Sequence, residues 1–385
     1  MKKLALSLCV SMMALGAFAQ QALWGEVPPK SPEFNADGTV TLRIKAPNAQ
    51  KVMVTGDCVD RHTAEMTLGE KGIWSWTSKA LPSELYMYNF VVDGVKTIDP
   101  SNCFNIRDVQ SVTSTFIIEG EKGDYYKVQN VRHGNVSKVW YPQAGMMRRM
   151  TVYTPAGYED GKQKYPVMYL LHGMGGDEEA WMDLGRTAQI LDNLIAAGKA
   201  KPMIVVMPNG NISQEAAPGY GSNYKDQPGF TLPKTMEGSY EVAFPEIMKY
   251  METHYRTIND KHHRAICGLS MGGFHSLYVS VNNPDKFDYV GLFSAAINKQ
   301  NNGGANKWVY ENLSDKLDKM FANKLQFFFI GIGKDDFLYK DNQAFQKTVK
   351  SLAHQPQKYQ YMETEGGHIW RNWRIYLTEF AQKVF

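Results

Sequence analysis

The sequence predicts an α/β protein in two parts, a small all-β sandwich followed by a mostly parallel sheet covered by helices. Three observations predict it. From about residue 38 to 118, apolar positions alternate with period two in short runs broken by turn signals such as Asp37-Gly38 and Asp93-Gly94. From Met150 onward, short apolar runs alternate with helical stretches. Between two of those runs stands Gly268-Leu269-Ser270-Met271-Gly272, a serine with a glycine two positions to either side.

The elements follow in order. Residues 1–19 read as an export leader: Lys2 and Lys3 form a positive start, Leu4 to Phe18 an apolar run, and Ala17-Phe18-Ala19 a small-x-small cleavage site. That run is too short to span a bilayer, and no later one reaches spanning length. The mature chain is expected to be exported, periplasmic or extracellular. Residues 20–125 hold strands at Thr39 to Ala46, Lys51 to Thr55, Trp74 to Thr77, Tyr86 to Val92 and Ser114 to Ile118 with no helix of useful length between them, which predicts the sandwich. Residues 126–385 hold strands at Met150 to Thr154, Val167 to Leu171, Met203 to Met207, Ala265 to Gly268, Tyr289 to Phe293, Phe327 to Ile332 and Tyr359 to Glu363.

Composition narrows the function classes. Hydrophobic residues make up 43% and charged residues 21%, enough for packed cores and unlike a disordered chain. The formal net charge is +3, so neither nucleic acid nor an anionic membrane is expected as a partner. Once Cys9 leaves with the leader, Cys58, Cys103 and Cys267 remain; three is no disulfide framework, although Cys58 and Cys103 could pair in an exported chain. Cys267, inside an apolar strand, reads as an inert buried filler.

The glycine-flanked serine is the pattern of a nucleophile elbow, in which the chain turns so sharply between strand and helix that side chains at the flanking positions would strike backbone. In an α/β-hydrolase fold the serine is followed in the chain by an acid and then a histidine. Of the nine histidines, only His354 and His368 follow the helix that starts at the elbow. His354 lies in a polar stretch that reads as an exposed helix end. His368 follows Gly366-Gly367 directly after the last strand, where a loop can curl back, and is the better base. The acid belongs after the preceding strand, which ends in Lys334-Asp335-Asp336-Phe337; either aspartate could fix the histidine tautomer. The oxyanion donors are expected from the backbone N–H of Met271, at the head of the helix, and of Met174 in His172-Gly173-Met174-Gly175-Gly176-Asp177. That loop lacks the lysine and hydroxyl of a phosphate-binding loop, which argues against nucleotide.

These residues resemble a known family. Arg149-Met150-Thr151-Val152-Tyr153-Thr154-Pro155, Leu170-Leu171-His172-Gly173-Met174-Gly175-Gly176, the elbow and Gly366-Gly367-His368-Ile369-Trp370-Arg371-Asn372-Trp373-Arg374 look like the esterase D-like carbohydrate esterases, the feruloyl and acetylxylan esterases. The resemblance covers residues 130 to 385. The front module, with Lys45-Ala46-Pro47-Asn48-Ala49 and Tyr86 to Gly94, resembles the immunoglobulin-like glycogen-binding modules; Trp74 and Trp76 alternate on one strand and share a face. The family pattern implies that the acid is Asp336, which directly precedes an apolar pair.

The expected activity is serine carboxylic-ester hydrolysis without metal or organic cofactor, with feruloylated or acetylated xylan as substrate. The feruloyl reading stands first; an acetylxylan esterase or a siderophore esterase of the enterochelin type are the alternatives, and an acyltransferase or a non-catalytic glycan-binding protein are more remote. Tyr220, Tyr224 and Trp308 are the candidate substrate-binding residues, in connections expected to overhang the serine. Catalytic efficiency should fall on acidification, because the reaction needs a histidine base with a free lone pair. The oligomeric state is not legible in the sequence.

Overall fold

The computed structural model describes residues 27–223, 229–230, 232–297 and 304–385, so the leader and Tyr224 lie outside the described residues. Two compact units emerge: residues up to Leu81 with Tyr88–Cys103, and Pro82–Met87 with Phe104–Phe385.

The small unit is antiparallel throughout. Strands β1 (Glu33–Phe34), β2 (Val40–Lys45), β3 (Val52–Gly56), β4 (Thr63–Glu65), β5 (Thr67–Leu68), β6 (Ile73–Thr77), β7 (Glu84–Val92, of which the part from Tyr88 on lies in this unit) and β8 (Val95–Thr97) form one sheet in the order β1-β2-β6-β5 and a second in which β4, β3 and β7 are neighbours and β8 pairs β7. The Asp93-Gly94 turn signal sits between paired Val92 and Val95, with both residues at positive φ, as a two-residue hairpin of the right twist requires. Trp74 is buried and its indole N–H donates to the Ala46 carbonyl at 3.0 Å, so this ring belongs to the interior and offers no stacking surface. No disulfide joins Cys58 to Cys103.

The large unit contains a hairpin, β9 (Asn105–Asp108) and β10 (Ser111–Ile118), and an eight-stranded sheet. The sheet comprises β11 (Asn135–Gln143), β12 (Met146–Thr154), β13 (Val167–Leu171), β14 (Ile204–Pro208), β15 (Arg264–Leu269), β16 (Tyr289–Phe293), β17 (Phe327–Gly333) and β18 (Lys358–Thr364), in the order β11-β12-β14-β13-β15-β16-β17-β18. From β14 to β18 all neighbours are parallel, whereas β11 and β12 form an antiparallel edge. Alternation survives inside fully buried strands: Val167, Tyr169 and Leu171 face one apolar cluster while Met168 and Leu170 face the other, and Phe328 and Ile330 oppose Phe327 and Phe329 in the same way. Two buried faces leave every position apolar, the pattern of a strand covered by helices on both sides.

The sandwich boundary expected at residue 125 differs from the observed division, because 82–87 and 104–125 group with the large unit. The physical reason is side-chain burial: Leu85, Ile106 and Tyr126 join Tyr153, Leu170 and Trp181 in one apolar cluster. Glu84 also meets the buried Arg374 of helix Trp370–Ala381, Oε1 to Nη2 at 3.2 Å. Among the described residues no helix is long and apolar enough to cross a membrane.

Candidate active site

Parallel register brings four strand ends to one edge. Leu171 pairs Gly268, Leu269 pairs Phe293, Phe293 pairs Gly331 and Gly333 pairs Thr364, so the segments after β13, β15, β17 and β18 leave the sheet side by side. Those segments carry the glycine-rich loop 172–177, Ser270, Asp336 and His368.

Ser270 sits between β15 and the helix Met271–Asn282 at φ 53° and ψ −114°, a conformation that costs on the order of 1–3 kcal/mol and persists only where surroundings enforce it. The surroundings are visible. Its N–H donates to the Phe293 carbonyl at 2.8 Å, and its carbonyl accepts from the N–H groups of Phe274 and Ala296, each at 3.0 Å. A Cβ on Gly268 would meet the Gly272 carbonyl carbon at 2.6 Å, and one on Gly272 would enter the Leu171 carbonyl, so only glycine fits at either flank. The serine hydroxyl makes no cap hydrogen bond to its own helix.

Asp336 and His368 meet. The imidazole Nδ1 lies 3.1 Å and 2.9 Å from the two carboxylate oxygens of Asp336, which is buried, and Asp336 Oδ1 also accepts the Leu338 N–H at 2.9 Å. A proton held on Nδ1 by that carboxylate leaves the Nε2 lone pair as the basic one. Asp335 is exposed, and it is its backbone N–H that works, donating to the Gly366 carbonyl at 3.0 Å and stitching the two loops together. His354 pairs instead with Asp318 at an exposed helix end. His275, in the helix that follows Ser270, is buried against Glu241 with Nδ1 to Oε1 at 2.8 Å.

The loop 172–177, in which an oxyanion donor is expected, is held at its base. His172 is buried; its Nε2 accepts the Gly210 N–H at 2.7 Å and its Nδ1 lies 2.7 Å from the Gly173 carbonyl, which fixes a neutral imidazole with the proton on Nδ1. Burial pushes its pKa down to about 4. Gly173 lies directly over the elbow, where a Cβ would meet Ser270 Cβ at 3.3 Å. Met271 opens its helix, so its N–H is one of the four that a helix leaves without an internal partner. Met174 is partly buried in the same neighbourhood.

The substrate-binding candidates divide. Tyr220 is exposed, and its ring lies under the Arg149 guanidinium at 4.1 Å from the centroid. Arg149 is itself buried on Glu178 at 2.7 Å and Glu179 at 2.5 Å. Trp308 is exposed with Lys316 Nζ 5.8 Å from its ring centroid. Phe337, 73% exposed, was not singled out from the sequence, yet its ring lies 4.6 Å from that of His368. Trp373 meets the same imidazole edge-on at 4.9 Å. Neither contact is spelled in the motif, since a ring beside a histidine in space leaves no spacing signal. Cys267 is buried and its thiol is pushed up by burial, in keeping with an inert filler.

The Esterase family model matches residues 143–383. The chain belongs to the Esterase family. Among its relatives is the endo-1,4-beta-xylanase/feruloyl esterase of Xylanibacter ruminicola, 30% identical over 364 residues that are 92% of this chain and 46% of that protein. A solved ferulic acid esterase is 30% identical, covers 65% of this chain and 97% of its own length, and superposes with a TM-score of 0.54. The enterobactin esterase of Shigella flexneri, at 15% identity and a TM-score of 0.61 over 89% of this chain and 93% of its own, shares the fold. This Esterase-family chain spans less than half the length of the curated relatives it matches.

Proposed function

We propose that the protein is an exported serine carboxylic-ester hydrolase that releases hydroxycinnamate from feruloylated xylan. The observation that carries this reading is the Asp336–His368 pair at the same sheet edge as the strained Ser270, in a chain 30% identical to a ferulic acid esterase across nearly all of that enzyme. The leader at 1–19 supports export.

In the proposed reaction the Ser270 hydroxyl attacks the ester carbonyl as His368 Nε2 takes its proton, and Asp336 stabilises the imidazolium that forms. The carbonyl oxygen gains the negative charge and is received by the N–H groups of Met174 and Met271, the latter aided by the positive end of its helix. The C–O bond to the sugar breaks as His368 returns the proton to the leaving alcohol. Water then repeats the sequence on the acyl-enzyme and frees the acid. Phe337 supplies an exposed ring beside His368 that suits an aromatic acyl group, and Tyr220 and Trp308 are assigned to the carbohydrate side.

The test is to incubate the mature protein with feruloylated arabinoxylan, acetylated xylan and methyl ferulate and quantify each released acid. Ferulate from both aromatic esters is the expected result. Release of acetate alone would transfer the protein to the acetylxylan esterases.

A further inference from the structure

The β9–β10 hairpin turns through Val109 and Gln110 between paired Asp108 and Ser111. Val109 stands at φ 52°. In a two-residue hairpin that position is normally given to glycine, and a β-branched side chain is disfavoured there because its γ-methyls crowd the neighbouring backbone. Were the turn all that mattered, glycine or asparagine would make it without strain. The methyl groups therefore need an explanation, and the oxyanion loop provides one.

Both methyls face Gly175, where an added Cβ would meet Val109 Cγ2 at 2.9 Å and Cγ1 at 3.0 Å. Gly175 is itself at φ 79°. Arg107, on the same strand, ties turn to loop: Nη1 donates to the Val109 carbonyl at 3.1 Å and Nη2 to Asp177 Oδ2 at 2.5 Å. Asp177 is buried, and its Oδ1 accepts the Glu179 N–H at 3.1 Å, so the anchor does not swing. On its opposite side the loop rests on the elbow through Gly173, beside Ser270 Cβ. The backbone from Gly173 to Asp177 is thus closed in between the nucleophile and the hairpin turn, with Met174 in the middle.

We propose that Val109, fixed by Arg107, is a positioning residue for the oxyanion site. Its methyls stop Gly175 from moving away from the elbow and so keep the Met174 N–H aimed at the oxygen on which charge develops. The strain at Val109 is retained because a residue without γ-methyls would leave that loop room to relax. This inference rests on the serine-esterase reading of the site but not on its feruloyl specificity.

The experiment compares Val109→Gly, Val109→Thr and the parent protein on p-nitrophenyl acetate, a small ester that asks nothing of the carbohydrate side. Val109→Gly is expected to lower kcat 5- to 20-fold with KM within twofold, while Tm is unchanged or raised, since glycine relieves the backbone strain. Inactivation by diethyl p-nitrophenyl phosphate, which also places charge on an oxygen at this site, should slow by the same factor. Val109→Thr, branched like valine, should keep kcat within twofold. Independently of any turnover, hydrogen–deuterium exchange of residues 172–177 should rise at least tenfold in Val109→Gly and nowhere else in the large unit. An unchanged kcat, or a kcat that falls only in step with Tm, overturns the proposal, and so does unchanged exchange of the loop. A parent protein that cleaves the small ester but no feruloyl ester overturns the substrate reading and leaves this one standing.

Discussion

At the scale of single residues, the two neighbouring aspartates make a sharp comparison. Asp336 presents both carboxylate oxygens to His368 Nδ1, while Asp335 directs its side chain to solvent. Asp336→Asn would offer an amide to that nitrogen and favour the wrong tautomer, so kcat is expected to fall by about 10⁴ with little change in KM, whereas Asp335→Asn should stay within about twofold. Steady-state kinetics on methyl ferulate decide it, and equal losses in the two variants would remove Asp336 from the reaction. His172 makes a second prediction. Burial holds its pKa at about 4 in the folded chain against an ordinary value of 6.5, so between those limits the unfolded chain binds the extra proton first. Its contribution to stability is complete above pH 6.5 and is lost as pH falls toward 4, roughly 3 kcal/mol over the whole window. Urea unfolding at pH 7 and pH 4.5 should therefore show a smaller pH dependence in His172→Gln than in the parent; identical dependence in both would contradict a buried neutral imidazole.

At the scale of elements, the elbow works because the sheet and the helix Met271–Asn282 approach closely at two glycines. Gly272→Ala would push a methyl into the Leu171 carbonyl and is expected to cost roughly 3 kcal/mol or more, with loss of activity in whatever fraction still folds. Gly161, in contrast, has nothing within 4 Å of where its Cβ would stand and no positive φ, so Gly161→Ala should be neutral or stabilise by up to about 1 kcal/mol. Thermal unfolding of the two variants side by side is the check. Other elements were less legible. The period-two runs and the all-apolar runs announce themselves because burial on one face or two imposes them on composition. The antiparallel edge strand β11, Asn135–Gln143, escaped because most of its side chains are exposed and its apolar residues are spread among Lys138, Ser137 and Pro142.

At the scale of the whole molecule, the segments 82–87 and 104–125 belong with the large unit. Arg374, fully buried, donates to the Leu184 and Leu85 carbonyls and pairs with Glu84, and Leu85 and Ile106 fill the cluster beside Trp181. A chain cut to begin at residue 126 would lose the Glu84 and Leu85 partners of Arg374 and bare the cluster that Leu85 and Ile106 fill, roughly 3–6 kcal/mol for those two side chains alone. Such a chain is expected to unfold at least 10 °C below the parent or to aggregate, and Arg374→Ala in the full chain should reproduce a large part of the drop. Calorimetry on both decides it; a stable 126–385 fragment would show that these contacts do not hold the large unit together.

By itself the sequence determined the order of elements, the two-sided burial of the parallel strands and the glycine-flanked turn at Ser270, and it singled out His368 as the candidate base, because periodicity and steric necessity write themselves into neighbouring residues. The residues alone left the candidate acid at two adjacent aspartates, the family resemblance pointed to Asp336, and it is Asp336 whose carboxylate meets His368. The sequence could not place Phe337 and Trp373 against the imidazole or Val109 against Gly175, nor show that residues 104–125, expected in the front sandwich, group with the large unit. Most of those contacts join residues tens to hundreds of positions apart, and Trp373, only five positions from His368, reaches it through its rotamer, so no local pattern encodes them.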